Sequence, residues 1–194
     1  MNLVVNRLSK GSQKMDQQNV TKEIISYSLK RLVSEKAVDK ISITDIMDQT
    51  DYRRQTFYDH FDDKYDLITW IFSHEVSELI QLIMNWEKWE EVLFLLLKYL
   101  EENKKFYKKI FSNMKLDSFK DYFEYYIKKS IQNISDDYFQ THLATDNNPT
   151  FIEATIDFYA YGLSEMLYHW VLEDCEPDSK SYHELLIQVI HYKI

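Results

Sequence analysis

From Thr21 the hydrophobic positions recur at spacings of three and four. Ile24, Ile25, Leu29, Leu32 and Val33 mark one side of an amphipathic helix over about 21–35. After a polar break at 36–40, Ser42-Ile43-Thr44-Asp45 has the S-x-x-D form of a capping box, with Ile46 and Met47 following on one face. This second helix is short and ends near Thr50. Asp51 and Tyr52 form a turn. Arg53–Phe61 reads as a third helix, with Phe57 and Phe61 four apart on its inner side and Arg53, Arg54, Gln55, Thr56, Asp59 and His60 on the other. Asp63, with Asp66 three residues on, opens a longer helix through Leu67, Ile68, Ile71 and Phe72. Residues 1–20 are polar, contain Gly11 and lack a sustained period, so they read as a flexible N-terminal arm.

Further helices follow from about residue 74. Trp89, Val92, Leu93, Leu96, Leu97 and Leu100 form one apolar face, and Phe106, Tyr107, Ile110 and Phe111 another. Ser118-Phe119-Lys120-Asp121 has the form of a second capping box before Tyr122, Phe123, Tyr126, Ile127 and Ile131. A polar loop is expected near 144–149. Thr150-Phe151-Ile152-Glu153 then opens a long helix through Ile156, Tyr159, Ala160, Leu163, Leu167 and Trp170. Pro177-Asp178-Ser179 starts the last one, which carries Leu185, Leu186, Val189 and Ile190. The pattern divides the chain into an arm at 1–20, a three-helix head at 21–72 and a helical body at 73–194.

Composition sharpens this picture. With only two glycines and two prolines in 194 residues, the chain lacks the turn residues that sheets consume, so an all-α fold is expected. The same scarcity excludes glycine-rich phosphate loops and a G-x-S-x-G nucleophile elbow. Cys175 is the only cysteine, which rules out an intrachain disulfide and a C-x-x-C pair and suits a reducing interior. No histidine has a glutamate three residues before it, as a carboxylate-bridged di-iron bundle would require. Glu165 and His169, four apart, are a weak metal signal, and no nucleophile and base form a recognisable pair. The chain is therefore not expected to be an enzyme or to hold a metal or cofactor. The most apolar run, Val92–Leu100, contains Lys98 and is too short to span a bilayer. A cytoplasmic protein with no membrane partner is expected.

Charge is unevenly distributed. Residues 1–64 hold 11 Lys or Arg against 10 Asp or Glu, whereas the remainder holds 12 against 22. An acidic body works against general phosphate attraction, but a locally basic helix on the near-neutral head does not need the whole chain to be basic. Three helices with a tight turn between the second and third make a helix-turn-helix, whose last helix can enter a DNA major groove. Arg54, Gln55 and Thr56 lie near the start of that helix, where arginine can pair with guanine and glutamine with adenine.

Ser42-Ile43-Thr44-Asp45-Ile46-Met47, then Gln55-Thr56-Phe57-Tyr58-Asp59-His60-Phe61 and Lys64-Tyr65-Asp66-Leu67, resemble the DNA-binding domain of TetR-type transcriptional regulators over about residues 21–72. The Arg53-Arg54-Gln55-Thr56-Phe57-Tyr58 stretch is similar to a subgroup that includes regulators of dihydroxyacetone kinase operons. The resemblance implies a homodimer reading a palindromic operator in double-stranded DNA. It also implies a helical body that answers to a small-molecule effector or a protein co-activator by changing the separation of the two heads. For the site it implies phosphate contacts by Tyr58, Lys64 and Thr44. His60 is either a further contact or an ordinary surface histidine. The chain departs from the family at the turn, with Asp51 where glycine is usual, and at the third helix, with Arg53 where a capping serine is usual. Asp51 is expected to tolerate the left-handed backbone such a turn needs.

In the family the last two helices pair with their copies in a four-helix bundle. Here Ala160, Gly162 and Ser164 are small enough for close approach, and Leu163, Met166, Leu167, Leu186, Val189 and Ile190 would supply the apolar seam, unless that face packs within its own monomer. The many aromatics of the body either line a ligand cavity or simply fill a core. A reading from another class is a helical protein-interaction module whose head has lost strong DNA binding.

Overall fold

The computed structural model describes residues 2–80, 88–113, 117–141 and 148–192, with side chains placed over 18–77, 88–113, 119–136 and 148–192. Among the described residues all regular structure is helical. The order is α1 (Asn2–Glu35), a short 3₁₀ turn (Val38–Lys40), α2 (Ile43–Met47), α3 (Arg54–Tyr58), α4 (Lys64–Ile80), α5 (Trp89–Glu102), α6 (Lys104–Phe111), α7 (Asp117–Thr141), α8 (Pro149–Leu172) and α9 (Ser179–His191). No helix among them is long and apolar enough to cross a membrane. The chain divides into two compact units, the first ending at Ile71 and the second beginning at Phe72.

In the first unit, Ile25, Leu29 and Val33 of α1 are buried with Ile46, Phe57, Leu67, Ile68 and Ile71. These are the inward positions of the three-and-four spacing, and burying them is what ties four helices into a head. Ser28 anchors α1 to α2 by donating its hydroxyl to the Ile46 carbonyl at 2.5 Å. The first helix begins at Asn2, so its backbone takes in residues 2–20, which the sequence pattern assigns to an arm. That stretch has no apolar stripe to announce a helix, but it has no proline to stop one either.

The second helix is capped as its sequence predicts. Ser42 Oγ accepts the Asp45 amide at 3.1 Å, and the Asp45 carboxylate accepts the Ser42 amide at 2.7 Å. The Ser42 amide, the Ser42 hydroxyl and then Lys36, 3.1 Å away, hold the Asp45 carboxyl at about 2, below its usual 3.8. A folded value below the unfolded one means that this stabilisation is complete above the usual carboxylate range and is lost as pH falls through about 2. Asp45→Asn is therefore expected to lower the urea midpoint at pH 7. The gap from the unsubstituted protein should close between pH 4 and pH 2, and a gap independent of pH would contradict this account.

The second unit is built from two antiparallel helix pairs. Lys120 meets Glu165 at 2.8 Å and Lys128 meets Asp157 at 2.5 Å, so eight residues up α7 correspond to eight residues down α8. On the other pair, His183 of α9 reaches the Glu90 carbonyl of α5, and Ser179 Oγ donates to Glu101 at 2.6 Å. Helix α8 starts at Pro149, with Asn148 accepting the Thr150 amide, and α9 starts at Ser179 under an Asp178 cap. Helix α7 begins at Asp117, so Ser118 lies within its first turn and not at the cap position expected; of the loop expected near 144–149, residues 144–147 lie outside the residues described.

A fully buried Phe72 sits at the centre of an aromatic cluster. Its ring is 5.1–6.5 Å from those of Tyr99, Tyr107, Phe119, Tyr122, Phe123 and Tyr126, in edge-to-face arrangements. The polar ends of two tyrosines are satisfied within this cluster. Tyr99 donates to Glu75 at 2.9 Å and shares a 2.6 Å hydrogen bond with Tyr107. Burial pushes both phenols well above their ordinary range, so they act as neutral hydrogen-bonding groups. The loop after α8 turns through Asp174 and Cys175 in left-handed backbone, at φ 62 and 55. It is held by the Cys175 amide on the Trp170 carbonyl and by Lys108 on the Asp174 carboxylate. Burial, more than the neighbouring carboxylates, raises the Cys175 thiol to about 12 and keeps it protonated.

Candidate nucleic-acid interface

Helices α2 and α3 are joined by a turn that needs no left-handed residue. Among the described residues only Asp174 and Cys175 have positive φ without being glycine, so Asp51 does not adopt the conformation expected of it. The turn is closed by Thr50 instead. Its amide and its hydroxyl both donate to the Met47 carbonyl at 2.9 Å, and its hydroxyl accepts the Tyr52 amide at 3.1 Å. A threonine hydroxyl bonding to nearby backbone is a known way of shaping such turns.

Helix α3 is shorter than the Arg53–Phe61 expected. It spans five residues behind Arg53, which stands at the cap position with no side-chain capping bond. Phe57 is its one buried residue and locks it against the head, packing on Phe61 with ring centres 5.6 Å apart. With Phe57 inward, Arg53, Arg54, Gln55, Tyr58 and Asp59 are all exposed. Thr56 and His60 are half-buried at the edges of that face, and Thr44 is exposed near the start of α2. Pairs four residues apart order two side chains. Arg54 donates to the Tyr58 hydroxyl at 3.0 Å and lies 5.6 Å over its ring, and Gln55 donates to the Asp59 carboxylate at 3.4 Å. The face thus presents guanidinium, amide, phenol and carboxylate groups on one short rigid element, the set that reads base edges and phosphates.

Lys64 stands apart from this set. Its ammonium donates to the carbonyls of Val38 at 2.8 Å, Ile41 at 2.7 Å and Asp39 at 3.3 Å. The position matches the expected phosphate contact in sequence, yet its hydrogen bonds run to the backbone around the 3₁₀ turn. Sequence spacing carries no signal for this, because the acceptors lie 23–26 residues away.

On the body, the six expected seam residues separate into two groups. Leu167 and Leu186 are 0% and 1% exposed and pack inside their own chain, so they offer no surface. Leu163, Met166 and Ile190 are half-buried and Val189 is 54% exposed. The sequence reading missed the exposed apolar side chains beside them: Phe158 at 75%, Tyr159, Leu185 and Tyr192. Helix α8 has apolar residues around its whole circumference, so periodicity could not say which stripe would remain outside. An apolar cleft of about 950 Å³ is walled by residues of α5, α7, α8 and α9, including Leu93, Ile131, Leu163 and Val189, with Ser130, Thr155 and Gln188 as polar groups. Among the described residues no cluster of His, Cys, Asp and Glu is arranged to hold a metal ion.

A helix-turn-helix head with an exposed polar face on α3 that carries Arg53 and Arg54, followed by an all-helical unit, defines the class of helix-turn-helix transcriptional regulators. Residues 87–192 match the family described as the transcriptional regulator C-terminal region of the TetR group, which is more than half of the chain. The chain belongs to the TetR family of transcriptional regulators. It is 42% identical over 92 residues to the HTH-type dhaKLM operon transcriptional activator DhaS of Lactococcus lactis subsp. lactis (strain IL1403). That alignment takes in 47% of this chain and 49% of the relative, about half the relative's length. A solved structure titled dihydroxyacetone kinase operon activator DhaS superposes with a TM-score of 0.69 at 26% identity, covering 88% of this chain and 94% of that one.

Proposed function

We propose that the protein is a sequence-specific DNA-binding regulator that reads an inverted repeat as a homodimer and activates a dihydroxyacetone kinase operon. The observation that carries the DNA-reading role is the outer face of α3. Arg54, Gln55 and Tyr58 are exposed and pre-ordered there, over a helix pinned by Phe57. The regulated operon is inferred from likeness to two activators named for it. Dimerisation through α8 and α9 is supported by their exposed apolar side chains, which a lone soluble chain would leave against water. Control follows from any effector, whether a small molecule or a protein co-activator, that binds one of two states of the body more tightly than the other.

The test is selection of bound sequences from a random duplex pool at two salt concentrations. An inverted repeat, bound more weakly at the higher salt, is the expected result. Enrichment of no sequence by the folded dimer would overturn the reading in favour of a protein-contact module. On the selected duplex, replacing both Arg54 and Gln55 by alanine should cost about 1–3 kcal/mol for each base pair no longer read, with a much smaller loss on random duplex. Equal losses on both would show that these side chains do not read bases.

A further inference from the structure

We propose that Asp59 is a specificity-determining residue of the reading face: its carboxylate fixes the orientation of the Gln55 amide, so that Gln55 reads adenine in preference to guanine. This rests on the DNA-reading role proposed above. Asp59 stands at the C-terminal cap of α3, one turn beyond Gln55, and its amide donates to the Gln55 carbonyl at 3.1 Å. Both side chains are exposed on the outer face. The backbone thus sets the carboxylate one turn from the glutamine amide, and Gln55 Nε2 donates to Asp59 Oδ1 at 3.4 Å.

A negative charge is costly at this position on two counts. Asp59 is the one acidic residue between Arg53 and His60, on the face that would meet phosphates. A carboxylate at the C-terminal end of a helix also faces the negative end of the helix dipole. Neither helix stability nor general attraction to DNA accounts for it, whereas control of its neighbour does. An ionised carboxylate only accepts hydrogen bonds, while a glutamine amide has a carbonyl that accepts and an NH₂ that donates twice. Turning the Gln55 oxygen toward Asp59 would set acceptor against acceptor, so the NH₂ faces the carboxylate. One N–H is then engaged, and the second N–H and the carbonyl oxygen are left in a fixed order. Adenine offers the matching pair in the major groove, N7 to accept and the N6 amino group to donate. Guanine offers two acceptors, N7 and O6. A free amide can give guanine an N–H and turn its oxygen away, but the tethered one presents its oxygen to O6.

The experiment uses the full-length protein with Asp59→Asn and Asp59→Ala. Asparagine keeps the shape and can bond to either end of the glutamine amide, and alanine removes the tether. Selection from the random duplex pool with Gln55→Ala first locates the base pair at which an adenine preference depends on Gln55. At that pair both Asp59 variants are expected to lower the adenine-to-guanine affinity ratio about tenfold. Preferences at the other base pairs should be unchanged and affinity for random duplex raised, since a negative charge has left the face. The proposal is overturned if no adenine preference depends on Gln55, or if the ratio at that pair is unchanged. Equal losses at every pair would overturn it in favour of a structural role for Asp59. The same loss from Asp59→Asn in a Gln55→Ala background would overturn it in favour of direct base contact by Asp59. Without DNA, magnetic resonance relaxation of the Gln55 side-chain amide should show greater motion in Asp59→Ala than in the unsubstituted protein, and equal motion would overturn the tether. If the unsubstituted protein selects no sequence, the DNA-reading role itself fails, while the relaxation measurement still reports whether Asp59 holds Gln55.

Discussion

A chain carrying both Phe158→Asp and Val189→Asp is expected to fold normally and to sediment as a monomer at concentrations where the unsubstituted protein is dimeric. Phe158 is 75% and Val189 54% exposed in the single chain, so a carboxylate at either position stays in water and costs the protomer little. At an interface formed by α8 and α9 the same carboxylates would be buried without partners, at about 3–5 kcal/mol for an unpaired buried charge. That corresponds to a dissociation constant raised at least about a thousandfold. Affinity for an inverted repeat should fall with it, because in the homodimer proposed above each monomer would read one half-site. Sedimentation velocity decides the matter: a dimer that persists in the double variant would place the interface elsewhere.

Replacing Phe72 by alanine should produce the largest loss of stability among single substitutions in the second unit, about 3–5 kcal/mol. The ring touches six other aromatic rings and is fully buried, so its removal leaves a void bounded by large, rigid side chains that cannot easily collapse inward. The hydrogen-bond chain from Tyr107 through Tyr99 to the Glu75 carboxylate lies against this cluster, so relaxation there would also disturb the buried bond between the two tyrosines. Urea unfolding measures the difference. A loss below about 1 kcal/mol would mean that the cluster repacks, as cores do when a site can collapse.

The all-helical fold was legible because this sequence states it twice, in the spacing of residues such as Leu29, Leu32 and Val33 and in the near absence of glycine and proline. The Ser42 and Asp45 box was legible for a related reason: both partners lie within one turn, so spacing alone brings them together. The outward stripe of α3 followed from Phe57, since one strongly apolar position per turn sets the orientation of so short a helix. What stayed hidden depends on distance along the chain or on competition between equals. Lys64 meets carbonyls more than twenty residues away. On α8 two apolar stripes compete, and only packing against α7 shows that Leu167 goes in while Phe158 stays out. The seam read from periodicity was therefore drawn partly through the protomer's own core.

The Thr50 turn bears on how heads of this kind diverge over time. Where a turn depends on left-handed backbone, glycine is nearly obligatory and any other residue is strained. Here the burden falls on one hydroxyl at position 50, and the residue after it has ordinary backbone. Position 51 is thereby released to drift, and an aspartate can settle there without compensation elsewhere. A signature built around a glycine at this point would pass over heads closed in this way, whereas one that accepts either a glycine or a preceding threonine would recover them.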